Sequence, residues 1–327
     1  KGLSRMEIGK RTGLSAQTVS VVVRSLEQEG LVIKGEAVKG RMGPPTIQLS
    51  LNPEGAYSVG ISLGHRHTDV VVIDFVGQAK FYTSLLLPTD DDATNHSKLV
   101  ATVRSALAAL PNKHGGRLAG IGIAMPEDAE ELALGPTGMG ERFETIGKEI
   151  EEALGIEVYV QNDITAAAAG ESMFGAAKSL DDYLFFYIGA RLHHRLVLNH
   201  QIFQSRAQAS QPIGLVELEN RLQAARLPTD CLWDRDTDWP DMGDEKTQWL
   251  NDCVEVLKTS LDAASQFLPV STVIVSCYAP ELVCNEIVAA LKAANTDIEA
   301  KAGALQPSPK ALGAASLPFS SKFTVET

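Results

Sequence analysis

Ser4-Arg5-Met6-Glu7 and, shortly after it, Thr12-Gly13-Leu14-Ser15 decide how this chain begins to fold. Ser-x-x-Glu is a capping box, in which the Ser hydroxyl and the Glu carboxylate each satisfy a free backbone N–H of a starting helix. Gly13 supplies the left-handed residue that closes a short helix, and Ser15 is placed to cap the next one. Beyond it Val19, Val22, Val23 and Leu26 recur at helical spacing and are expected to form a buried stripe. Ala16, Gln17, Thr18, Ser20, Val21 and Arg24 are left more exposed. Gly30 stops this second helix, and a strand over 31–34, a Gly-rich basic loop over 35–45 and a strand over 46–51 follow.

Helix, tight turn, helix and basic hairpin is the plan of a winged helix-turn-helix. Its second helix enters the DNA major groove while the wing touches phosphates. The candidate DNA contacts are Ser15, Gln17, Thr18, Ser20 and Arg24 on that helix, with Lys39 and Arg41 on the wing. Glutamine can pair with an adenine edge, and hydroxyls suit base or phosphate acceptors. A surface hairpin with solvated charges, or a winged fold that contacts protein, would share the pattern. Caps, stripe, basic wing and charge distribution together favour DNA. The first fifty residues carry eight Lys/Arg against four Glu, whereas the remainder carries 21 basic and 37 acidic residues within a net charge of -12. A basic head on an acidic body points to a polyanion at the head alone. The helix that ordinarily precedes such a pair has no counterpart here, so this domain is expected to start upstream of Lys1.

The chain has 327 residues, 44% hydrophobic and 21% charged, which excludes a wholly disordered or low-complexity protein and leaves room for two or three domains. No apolar run approaches the roughly 18 to 20 residues of a membrane span, and no signal peptide is legible. A cytoplasmic protein with no membrane partner is therefore expected. Cys231, Cys253, Cys277 and Cys284 lack metal-knuckle spacing and read as reduced thiols.

Asn52-Pro53-Glu54-Gly55 marks a change of pattern. Three strands (57–63, 68–75, 80–87) precede alternating helices and strands as far as an alanine-rich helix over 164–174. A second set of three strands (183–188, 195–198, 201–203) again precedes alternating elements, ending in a helix from Pro309. The repetition implies two α/β lobes with a ligand cleft between them. The expected domains are a winged helix-turn-helix over 1–52, a first lobe over 53–175 and a second over 176–327.

Leu3 to Ile8 with Thr12 to Ser15, Leu49-Ser50-Leu51-Asn52-Pro53, Gly120-Ile121-Gly122-Ile123-Ala124, Val160-Gln161-Asn162-Asp163 with Ala166 to Glu171, and Gly313-Ala314-Ala315 occur in the order and spacing of the ROK family. That family comprises repressors and sugar kinases, and the chain resembles its xylose and N-acetylglucosamine repressors over nearly its whole length. The resemblance implies a winged helix-turn-helix ahead of a two-lobed actin-like ATPase fold of ribonuclease H-like lobes, usually dimeric or tetrameric. A sugar or sugar derivative bound in the cleft would alter affinity for a double-stranded operator. Asn162 and Asp163 correspond to the sugar contacts, Asp163 standing where the kinases have their catalytic base. Either residue could instead simply cap the helix that follows. Glu171, further along, reads as a solvated or structural residue.

Departures from the kinases are equally informative. Ser62-Leu63-Gly64-His65-Arg66-His67 stands where a metal- and phosphate-holding Asp and Gly-rich turn would be. Gly189-Ala190-Arg191-Leu192 replaces a Gly-Thr-Gly type loop, and Ser276-Cys277 replaces paired glycines. Phosphoryl transfer depends on such positioning elements, so no catalytic residue and no cofactor is expected. The family's Glu-x-Gly-His contact and Cys-rich zinc motif have no match in 204–219, and no metal is expected. His65 and His67 alternate on a possible strand end and His193 with His194 lies in the corresponding turn of the other lobe, so all four could face one cleft, as exposed turn residues or anion contacts ahead of a metal site. Arg66, Arg191 and Arg195 could receive an acidic ligand or remain surface charge. Trp233 and Trp239, among aspartates, read as an exposed loop. The expected function is a sugar-responsive DNA-binding regulator, most simply a repressor. The alternatives are a sugar kinase with an appended DNA-binding head and a regulator that has lost its sugar.

Overall fold

Ser4 Oγ accepts the Glu7 N–H at 3.2 Å while the Glu7 carboxylate accepts the Ser4 N–H at 2.7 Å, and the capping box starts α1 (Arg5–Thr12). The computed structural model describes residues 2–38, 46–64, 67–86, 92–110, 117–127, 139–203, 210–234, 237–268, 270–294 and 297–324. Gly13 closes α1 at φ 70°, and Ser15 caps α2 (Ala16–Gln28) through the Thr18 N–H. Val19 and Val23 bury against Leu49, with Ile8 and Val32 at the margin.

Val22 departs from the expected stripe. It is 44% exposed, because three residues of helix leave a side chain about 60° short of a full turn from Val19. Val22 and the half-buried Leu26 face an apolar cavity of about 410 Å³. The wing also differs. β1 (Val32–Val38) runs past Lys34, a bulge between Lys34 and Ala37 letting it stay paired with β2 (Thr46–Leu51). Lys39 and Arg41 lie outside the described residues.

Among the described residues the body contains two five-stranded sheets of one topology. In the first, β3 (Tyr57–Leu63), β4 (Thr68–Asp74) and β5 (Ala79–Leu85) are antiparallel, while β6 (Leu118–Met125) and β7 (Val158–Asn162) add in parallel beside β3. The order is β5-β4-β3-β6-β7. In the second, β8 (Tyr183–Ile188), β9 (Leu192–Leu198) and β10 (Gln201–Phe203) are antiparallel, with β11 (Thr272–Cys277) and β12 (Glu299–Ala302) parallel, in the order β10-β9-β8-β11-β12. The central strands β3, β4, β8 and β11 are buried along their length, as expected for sheets covered on both faces.

Helices α3 (Asp92–Ala108) and α4 (Met139–Leu154) cover the outer face of the first sheet, and α6 (Leu215–Ala224), α7 (Gly243–Ser265) and α8 (Glu281–Ala294) that of the second. Two helices fill the space between the sheets. α5 (Asp163–Met173) packs Ile164, Ala167 and Ala168 on β8 and β11. α9 (Pro309–Phe323), last in sequence, crosses back to pack Ala311, Leu312, Ala315 and Phe319 against Val71, Ile73 and Ala119 of the first sheet. A side chain at Gly60 or Gly122 would overlap α9's backbone, and one at Gly313 would overlap that of α5. Glycine at these positions is what permits the close approach.

Trp233 corrects the expected exposed loop. It lies in the second lobe's core, 7% exposed, with its indole N–H donating to Glu219 at 3.1 Å. Trp239 is half-buried with its ring 6.0 Å from that of Trp249. The aspartates nearby had pointed to solvent, but the apolar residues between them find the core. No helix among the described residues is long and apolar enough to cross a membrane.

Candidate functional site

The parallel strands β6 and β7 end at Met125 and Asn162, on one edge of the first sheet. Loops at the carboxyl ends of such strands are where α/β folds place ligands. Asn162, the last residue of β7, caps α5: its Oδ1 accepts the N–H groups of Ile164 and Thr165 at 3.0 and 3.1 Å. The same oxygen accepts Arg195 Nη2 at 2.7 Å. Asp163 opens α5, where a carboxylate is favoured by the helix dipole, and is only 2% exposed. One of its oxygens accepts the Glu127 N–H at 3.2 Å. The other pairs with the Lys310 ammonium from the first turn of α9. Lys310 in turn lies 4.6 Å from the centre of the Tyr187 ring on β8, a cation–π contact.

Arg195 ties this group to the second lobe. Nε donates to Thr165 Oγ1 at 2.9 Å, Nη1 to the His194 carbonyl at 2.7 Å, and Nη2 to Glu127 at 2.5 Å as well as to Asn162. With its donors turned inward and 3% exposure, Arg195 organises the site and is not free to receive an acidic ligand from solvent. Arg191 Nε donates to Ser210 Oγ at 2.9 Å, and Arg66 lies outside the described residues.

His193, His194 and Arg195 sit in strand β9, not in a turn. β8 and β9 stay paired from Ile188↔Leu192 onward, so only residues 189–191 turn. His193 Nδ1 lies 3.6 Å from Glu127. Burial and the neighbouring Arg195 charge push the His194 imidazole below its ordinary range, which keeps it neutral near pH 7. His67 meets Tyr278 OH at 3.3 Å across the lobes, and His65 lies outside the described residues. Among the described residues no three His, Cys, Asp or Glu side chains are grouped to hold a metal ion.

Glu171 is fully buried and braces the middle layer. Its carboxylate accepts N–H groups from Ala176 at 2.7 Å and from Ala304 and Leu305 at 3.1 Å, a structural role and not a solvated one. Glu127, Thr165, Tyr187 and Lys310 are the members of the site that sequence reasoning missed. For Lys310 a partial signal existed, since Ser308-Pro309 marks a helix start. Nothing local says that this helix returns to the other lobe.

At the head, Ser15, Gln17, Thr18 and Arg24 are exposed along α2. The hydroxyls of Ser15 and Thr18 meet at 2.8 Å. Ser20 is half-buried and bonds back to the Ala16 carbonyl at 2.8 Å, leaving Gln17 and Arg24 as the long exposed side chains among these candidates. The end of α2 is fixed to the first lobe. Arg117 Nη1 donates to the carbonyls of Gly30, Glu54 and Gly55 at 3.3, 3.0 and 3.4 Å, Asn52 Nδ2 donates to Gly30 at 2.7 Å, and Leu31 packs against the cluster holding Phe75 and Phe319.

Comparison with known proteins agrees with this fold. Residues 58–219 match the ROK family and residues 1–41 the MarR family. The xylose repressor of Bacillus subtilis is 24% identical over 219 residues, 66% of this chain and 57% of that protein. The chain thus spans a little over half the length of the curated relatives it matches. A crystal structure of a ROK family transcriptional regulator, described as a homolog of the E. coli MLC protein, superposes with a TM-score of 0.62 at 15% identity, covering 97% of this chain and 92% of that one. A ROK hexokinase from Thermus thermophilus gives 0.54 at 18% identity, over 79% and 96%. At these identities the structures establish the fold: an actin-like pair of lobes behind a winged helix-turn-helix.

Proposed function

We propose that this chain, a ROK domain carried behind a MarR-type winged helix-turn-helix, is a transcriptional repressor whose operator affinity is set by a sugar bound at Asn162 and Asp163. The observation that carries the proposal is the division of the molecule. A basic helical head presents Gln17 and Arg24, and an acidic body holds a buried carboxylate at the carboxyl edge of a sheet. Carboxylate and carboxamide together accept and donate to sugar hydroxyls. The curated relatives named xylose repressors make a pentose the first candidate. Two copies of the chain on a palindromic duplex would follow from the symmetry such readers use.

The kinase alternative is less well supported, even though kinases share the fold. A phosphate-binding helix start needs free N–H groups. At α6, however, the Leu215 and Val216 N–H groups donate to the carbonyls of Gly189 and Ala190 at 2.8 and 3.2 Å. Asp163, where a kinase would keep its base, is paired with Lys310.

Thermal unfolding of the full chain against a panel of monosaccharides tests the ligand half of the proposal. A sugar at a hundred times its Kd adds about 2.7 kcal/mol, a rise of roughly 4 °C for a chain of this size. Asp163→Asn is expected to remove that shift. A sugar shift that persists in Asp163→Asn would remove Asp163 from the site, and turnover of ATP with any sugar would favour the kinase.

A further inference from the structure

Asp163 and Lys310 occupy corresponding places, each in the first turn of a middle-layer helix. The helix dipole favours the aspartate there and disfavours the lysine. Lys310 is therefore held at α9's start against the local field, and the Asp163 carboxylate, with the Tyr187 ring beneath, compensates it.

From this point the two helices run to a common destination. They cross where Gly313 lies against the backbone of Ala166 and Gly170, so no side chain cushions the contact. Farther on, about 16 Å along α5 and 15 Å along α9 by helix rise, Phe174 and Phe319 meet edge to face at 6.3 Å. Phe75 joins Phe319 at 5.4 Å and Phe323 at 4.9 Å. Leu31, the first residue beyond Gly30 at the end of the reading helix, packs on this cluster. Gly77, in the turn that follows Phe75, lies so close to Phe174 that a side chain there would overlap its ring.

We infer that Lys310 is the positioning residue through which occupancy of the Asp163 site reaches the reading head. This rests on the reading of Asp163 as a ligand contact. A hydroxyl that hydrogen-bonds to the Asp163 oxygen now paired with Lys310 competes with the ammonium. The start of α9 loses its compensating charge, and α5 and α9 shift about their backbone crossing. The aromatic cluster then moves against Leu31 and the Arg117 clamp, changing how firmly the head is held. A packed element with two arrangements, biased at one end by ligand and at the other by DNA, is what coupling between the sites requires.

Hydrogen exchange on the full chain, without sugar or DNA, tests this directly. Lys310→Met keeps the stem and removes the charge. Amides of residues 30–31, 52, 54–55 and 74–78 are expected to exchange at least tenfold faster in it than in the wild type. Amides in β8 and β11 are expected to keep their rates, and Lys310→Arg is expected to restore protection at the joint. Wild-type rates at the joint in Lys310→Met would overturn the inference, as would equal acceleration in β8 and β11, which would mark general loosening. Should Lys310→Met not fold, Lys310→Gln carries the same comparison. Failure of every sugar to shift the melting temperature would count against the ligand reading and leave the exchange result standing.

Discussion

Glu171→Ala is expected to cost about 3–5 kcal/mol of folding stability, measured by urea unfolding of the purified chain. The carboxylate accepts three backbone N–H groups, from Ala176, Ala304 and Leu305, and Ser276 Oγ stands 3.5 Å from it. Truncation leaves those donors in a site closed to water, and each buried group left unmade costs about 1–3 kcal/mol. The fit around the carboxylate is close, since side chains at Gly175 or Gly303 would overlap Glu171. Glu171→Gln, which keeps one acceptor oxygen, is expected to lose roughly half as much. Against a total of about 5–15 kcal/mol, the alanine variant would be marginal at 37 °C. A loss under 1 kcal/mol would mean that the brace is dispensable.

Gly313→Ala is expected to destabilise by about 3 kcal/mol, the upper end of overpacking costs. A methyl here meets the Ala166 carbonyl and the Ala167 nitrogen, which belong to a helix backbone and cannot rotate away as a side chain would. α5 and α9 must separate to admit it, and α9 is pinned on its other face by the close fit against Gly60 and Gly122. Differential scanning calorimetry reads the loss. An unchanged melting temperature would show that the middle layer yields more than this packing allows.

Much of the architecture was legible because it rests on local signals. Ser4, Glu7, Gly13 and Ser15 do in space what their types announce, and the repeated strand-then-helix pattern correctly implied two similar lobes. Where the chain's reading went astray, the cause was tertiary. Val22 sits at helical spacing yet opens onto a groove, because periodicity identifies a face without saying what covers each part of it. Trp233 lies among aspartates and is nonetheless drawn into the core. His193 and His194 looked like turn residues because polar side chains mask a strand whose partner β8 is wholly buried.

The candidate site was legible only in part. Asn162-Asp163 could be found from its motif, and Asn162 caps α5 through the oxygen that also accepts Arg195. Glu127 and Lys310 arrive from 36 residues before Asp163 and 147 after it. No spacing rule reaches across a chain crossing of that kind. The return of α9 to the first sheet is what brings Lys310 to Asp163.

The link between sugar and DNA is tested most directly by titrating the full chain onto a labelled duplex from the DNA flanking its own gene, across a salt series, with and without D-xylose and the other monosaccharides. Binding is expected to weaken steeply with salt, with a slope reduced by about one in Arg24→Ala, and one sugar is expected to shift the affinity tenfold or more. Absence of duplex binding at low salt, or binding that no sugar alters, would contradict a sugar-gated repressor.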